Sequence, residues 1–217
     1  MALFKTSGQI PEDAVKLTYD EALKYQWEQI TNWKPRKDVW AFRYGIHILS
    51  GTTAMTGMYI NKYYRQKLKL RTQGYVSSFL PTMIIPAAIG NFLYLEFVSN
   101  DLILRTTECP VCVEIKACAI QSGIGVIYPI CISSIANFMI ASLCGSYRLP
   151  HITDVKPLFS TWITLSKSLG KRIPTLFMIQ CIVASVITYS QAAALNHIQT
   201  TLLLDWEKVN QEQELEA

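Results

Sequence analysis

The stretch that decides the fold is Ala117–Tyr147, ACAIQSGIGVIYPICISSIANFMIASLCGSY, which contains no Lys, Arg, Asp or Glu. A helix needs roughly 20 mostly apolar residues to cross a bilayer core of about 30 Å. This run is longer than one crossing, so part of it is tilt, kink or interface. Pro129 near its middle removes a helix donor. Three more uncharged runs share the chain: Tyr44–Asn61, Tyr75–Leu95 and Ile173–Leu204. A soluble protein with four buried helices is the alternative. Amphipathic helices of soluble proteins keep charges on their outer face, and these windows keep none. The expectation is an all-α multi-pass membrane protein with four transmembrane helices, at about 44–64, 75–97, 117–143 and 174–195. An amphipathic N-terminal helix and an interfacial helix accompany them. The organisation expected is an N-terminal tail (1–43), a four-helix transmembrane domain (44–204) and an acidic C-terminal tail (205–217).

The flanks follow from periodicity. From Glu12 to Trp33, apolar residues such as Val15, Tyr19, Leu23, Ile30 and Trp33 fall near one helical face, with Glu12 and Asp13 at the start. Pro81 and Pro86 predict a kink or a broken first turn in the second span. In the last loop Leu158, Trp162, Leu165 and Leu169 line one face, beside Lys167, Lys171 and Arg172. That pattern suits a helix lying on an anionic membrane surface, with those three cations as lipid contacts. The fourth helical pattern continues past its span to Leu204 and Trp206. No secretory signal or acid-poor transit peptide is read in the first 43 residues, so targeting information is expected to be internal.

Charge sets the orientation. With four crossings, the loops 62–75 and 145–172 share one side, and carry ten Lys/Arg against one acid, Asp154. The positive-inside rule places these loops inside, with both termini and the middle loop outside.

The middle loop carries Cys109-Pro110-Val111-Cys112 before the third span. Zinc needs further ligands; Cys118 begins the membrane helix and His151 is expected on the opposite side. A helix N-terminus lowers a thiol pKa, so a four-helix thiol–quinone oxidoreductase of the vitamin K epoxide reductase type is one reading. Such an enzyme needs a second, shuttling pair, and the spacing of Cys131, Cys144 and Cys181 offers none. A disulfide between Cys109 and Cys112, or two plain thiols, are the others. A small carrier or channel is a further alternative, but no charge lies deep in a span to mark its path. No Ser-His-Asp grouping, phosphate loop or carboxylate pair stands out. No catalytic residue, cofactor, metal, nucleic acid or small-molecule substrate is expected. Gly51, Ala54 and Gly57 on the first helix, and Gly123 and Gly125 on the third, are the places for close backbone contact. They serve either the protein's own packing or a partner's.

An ordered set of short motifs carries a resemblance. Cys109 and Cys112 are followed by a Gly-rich helix with Tyr128-Pro129, then Leu149-Pro150-His151, Ser160 with Trp162, and Ser166-Lys167. Over roughly residues 40–190 the chain resembles the transmembrane protein 126 family of mitochondrial inner-membrane proteins. The resemblance implies a non-enzymatic assembly factor: a membrane-embedded scaffold for the membrane arm of respiratory complex I. Its implied partners are complex I membrane-arm subunits, other complex I assembly factors and inner-membrane lipids.

Overall fold

A computed structural model describes residues 17–107, 109–147 and 155–216. Every regular element among them is helical. Helix α1 (Tyr19–Asn32) starts at a capping box: the backbone N–H and hydroxyl of Thr18 both donate to Glu21 Oε2, at 2.9 and 2.8 Å. The helix expected from Glu12 therefore begins at Tyr19, and its first-turn acids are Asp20 and Glu21. Glu12, Asp13 and Val15 lie outside the described residues, as does Leu149-Pro150-His151.

Four long helices follow. They are α2 (Trp40–Lys67), α3 (Tyr75–Ile103), α4 (Pro110–Cys144) and α6 (Ile173–Glu216), with the shorter α5 (Val155–Gly170) before the last. Helices α3, α4 and the α6 segment Ile173–Asp205 are long and apolar enough to cross a membrane. The expected count of four is corrected here: α2 has the length but falls short in hydropathy. Its buried side carries Thr53, Thr56, Asn61 and Arg65, which lower the average while facing protein rather than lipid. Even so, α2 runs beside the others for its whole length, with Phe42 in the apolar cluster at one end and Tyr64 in that at the other.

Boundaries shift in instructive ways. Helix α4 starts at Pro110, seven residues before the expected 117, because Pro suits the first helical position. Helix α6 is one rod of 44 residues that continues into the acidic C-terminal segment. The prolines act through π turns rather than breaks. One turn, Leu80–Ile84, contains Pro81, and another, Gly123–Ile127, ends just before Tyr128-Pro129. A third, Leu95–Ser99, has no proline.

The two ends of the bundle are distinct. At one, Ile30 of α1 packs with Val39, Phe42, Ile103, Leu195 and Ile198, and Trp27 Nε1 donates to Asn100 Oδ1 at 3.2 Å. At the other, the loop residues Leu68 and Leu70 meet Leu158, Trp162 and Leu165 of α5. The apolar stripe of α5, expected against lipid, is thus turned onto the protein, and Leu169 is fully buried against Ile60 and Tyr64. Bonds from Tyr63 Oη to Leu165 O and between Tyr64 Oη and Ser166 Oγ, each 2.8 Å, hold it there. Phe159 and Ile163 are large apolar residues that α5 leaves exposed.

Candidate functional site

The polarity of the bundle is inverted relative to a soluble protein. Gln121, Gln180, Gln191, Asn61 and Asn137 are buried, while Met55, Phe92, Ile115, Met139, Leu143 and Tyr189 stand exposed. Hydrocarbon tolerates the second set and penalises the first unless hydrogen-bonded. The buried groups form a seam along α2. At its centre Gln121 Nε2 lies 2.9 Å from Gln180 Oε1 and 3.0 Å from Thr53 Oγ1. Gln180 Nε2 donates to Thr56 Oγ1 at 2.8 Å and Thr52 O at 3.2 Å. Toward α5, Asn61 Oδ1 accepts from Asn137 Nδ2 at 2.6 Å and Ser133 Oγ at 3.2 Å. Toward α1, the Tyr94 hydroxyl meets Thr188 Oγ1 at 2.9 Å and Gln191 Oε1 at 3.1 Å. Each such bond contributes modestly in a membrane, about 0.6 kcal/mol on average. Together they specify which helix faces which. Gln121 and Asn137 lie in the uncharged run Ala117–Tyr147, where hydrocarbon favours turning such groups inward; the fold supplies their partners on α2 and α6.

The small residues divide into two classes. A Cβ on Gly57 would lie 2.1 Å from Thr82 O, a backbone atom. Pro86 has no N–H to offer the carbonyl four residues back; that carbonyl is Thr82's, and Gly57 lets it come close. At Gly125 a Cβ would meet the Gln180 amide at 3.0 Å. These two glycines serve the bundle's own packing. Gly51 and Gly123 have nothing within 4 Å of a Cβ position, so their faces open outward. Ala54 is half-buried.

Cys109 caps α4 and Cys112 lies in its first turn, both exposed and both thiols. Hydrogen bonding from the Cys112 side chain and backbone holds the Cys109 thiol below its ordinary pKa. The structure also brings together two cysteines that spacing could not pair: Cys118 Sγ is 3.6 Å from Cys181 O and 3.3 Å from Ser185 Oγ. Cys131 and Cys144 are exposed thiols elsewhere on α4. No group of three or more His, Cys, Asp or Glu able to hold a metal occurs among the described residues. Nearby, Lys116 Nζ pairs with Asp101 Oδ2 at 2.6 Å, tying the start of α4 to the end of α3. Lys167, Lys171 and Arg172 are exposed, and Arg172 Nη1 donates to the Tyr59 hydroxyl.

Comparison with known proteins agrees on one family. A family model described as Transmembrane protein 126 matches residues 21–203. Transmembrane protein 126 of Drosophila melanogaster is 36% identical over 191 residues, covering 87% of this chain and 86% of that protein. Transmembrane protein 126A of Rattus norvegicus is 30% identical over 144 residues, covering 65% and 71%. Its Mus musculus counterpart is 27% identical over 153 residues, covering 70% and 76%. No solved structure matches the chain.

Proposed function

The chain belongs to the transmembrane protein 126 family, and from that premise we propose that it is a mitochondrial inner-membrane scaffold that assists assembly of the membrane arm of respiratory complex I. The observation that carries the reading is the family match, which runs from α1 to the apolar end of α6. Residues 21–203 thus take in the whole bundle. The geometry supplies a mechanism in keeping with it. A scaffold in lipid associates through close backbone approach and hydrogen bonds rather than through water-driven burial. The seam commits Gln121, Gln180, Gln191 and Asn61 to internal partners. Gly51 on α2 and Gly123 on α4 remain outward-facing, where a partner helix can approach the backbone closely.

In this reading α2 crosses beside the three apolar helices, so that both termini and the cysteine pair face the intermembrane space and the basic end with α5 faces the matrix. Affinity purification of the tagged chain from mitochondria, followed by identification of the co-purifying proteins, is the test. Complex I membrane-arm subunits and other complex I assembly factors are the expected companions; their absence from the purified material overturns the proposal. The thiol–quinone alternative is tested alongside it. Replacing Cys109 and Cys112 by Ser should leave assembly intact, whereas complete loss of function at normal abundance would favour redox catalysis.

A further inference from the structure

The loop joining α2 to α3 holds a feature that scaffolding does not use. Between Asp38 and Glu96 the chain contains no carboxylate, yet Lys62, Arg65, Lys67, Lys69 and Arg71 crowd the middle of this stretch. Arg65 is 5% exposed, and among the described residues its guanidinium donates to neutral acceptors. Nη1 donates to Ser78 Oγ at 2.9 Å and Gly74 O at 3.2 Å; Nη2 donates to Arg71 O and Gln73 O, both at 2.8 Å. The buried cation acts as an internal clasp for the turn. Within the clasped turn Lys69 and Arg71 have φ of 55° and 46°, a left-handed conformation that non-glycine residues rarely adopt. Strain of this kind persists where surrounding structure enforces it, and it often marks a working site.

The enforced turn places Lys69 and Arg71, together with Lys62, around a cavity of about 610 Å³. Its other wall is apolar, formed by Met58, Tyr75 and Phe79, with the two rings stacked 4.2 Å apart. The three rim cations are exposed, and none is in a salt bridge among the described residues. The cavity lies at the end of the bundle where the loop meets α5. Its size falls within the usual range for organic ligands, about 300–1,000 Å³.

We infer that this cavity binds the headgroup of an anionic phospholipid from the leaflet on that side. The phosphate sits among Lys62, Lys69 and Arg71, and an acyl chain runs over Met58, Tyr75 and Phe79. Ammonium and guanidinium groups donate to phosphate oxygens. The buried Arg65 charge, in no salt bridge among the described residues, adds to the field that an anion entering the cavity meets. Lys167, Lys171 and Arg172 also carry positive charge at this end, but they are not among the residues lining the cavity.

Native mass spectrometry of the full chain, purified in detergent with phosphatidylglycerol and phosphatidylcholine in equal amounts, reads the retained lipid. Phosphatidylglycerol should be held in preference. The paired change Lys69→Gly and Arg71→Gly removes two cations and relaxes the left-handed backbone. The melting temperature should then hold or rise while phosphatidylglycerol retention falls about thirtyfold. The pair Lys167→Gln and Lys171→Gln removes equal charge and should change retention less than about twofold. Lys62→Gln, on the exposed side of α2, provides an independent reduction without touching the turn. Equal losses for the two pairs would mean diffuse surface attraction and overturn the site. So would unchanged retention in the glycine pair or in Lys62→Gln, or equal retention of phosphatidylcholine. Displacement of the lipid by an equimolar amount of inorganic phosphate would make the free anion the ligand and overturn the lipid assignment.

Discussion

Replacing Gly57 by Ala adds one methyl group where α2 meets the backbone of α3 with no room for it. The new Cβ would lie 2.1 Å from Thr82 O and 3.2 Å from Thr82 C. Neither atom belongs to a side chain that can swing away, so α2 and the π turn of α3 must part by on the order of 1 Å. Overpacking of a close contact costs about 1–3 kcal/mol, and a backbone neighbour puts this case at the upper end. The shift also pulls on Ser78, whose hydroxyl accepts from Arg65 at 2.9 Å and from Asn61 at 3.3 Å. Straining those bonds adds about 1 kcal/mol. Against this, Ala is favoured over Gly in a helix by about 1 kcal/mol. Gly51→Ala enjoys the same helical gain with open space around its methyl group, so it is the matched control. The two variants should differ by about 4 kcal/mol, or roughly 10 °C in apparent melting temperature for a chain of this size. Thermal unfolding of the detergent-purified proteins, followed by tryptophan fluorescence, measures the gap. A Gly57→Ala protein that melts within about 3 °C of Gly51→Ala would refute the close approach and the role given to the Thr82 carbonyl.

Other consequences are as direct. Gln180→Leu takes one acceptor from the Gln121 amide, which keeps Thr53 Oγ1 and Leu49 O, and should cost about 1 kcal/mol; a double-mutant cycle of melting temperatures with Gln121→Leu that shows no coupling would contradict the pairing. Gly51→Leu should accumulate normally yet fail to co-migrate with complex I intermediates on native gels, and normal co-migration would remove that face from the proposed docking surface. The Thr18 bonds hold the Glu21 carboxyl below its ordinary value of 4.5. Because its folded value lies under the unfolded one, the stabilisation is present above pH 4.5 and is lost as pH falls through the folded value. Amide exchange in the first turn of α1 should accelerate only below that point, and Glu21→Gln should abolish the dependence. Cys112→Ala removes the leading cause of the lowered Cys109 pKa, so alkylation of Cys109 near neutral pH should slow; an unchanged rate would show that the hydrogen bond is unimportant.

Much of this was legible along the chain because the bilayer acts locally. A run such as Ala117–Tyr147 must be helical in lipid whatever it later packs against, since hydrocarbon offers no partner for its backbone groups. The prolines marked where regular bonding would falter, and the amphipathic stripe of α5 announced a helix with one apolar side. Which surface covered that stripe was decided by Leu68, Leu70 and Tyr64, residues about a hundred positions away. Hydropathy also averages around a helix without knowing its neighbours. It undervalued α2, whose threonines and Asn61 face the seam. Glycine spacing marked five small positions alike; only the approach of Thr82 and Gln180 separates Gly57 and Gly125 from Gly51 and Gly123. The proximity of Cys118 and Cys181, and the cavity behind Lys69 and Arg71, likewise depend on helix rotation and on a turn clasped by Arg65. Local sequence sets the periodicity and solvent preference of each helix, whereas rotation and neighbour choice are minima over all helices at once, so they exist only in the folded bundle.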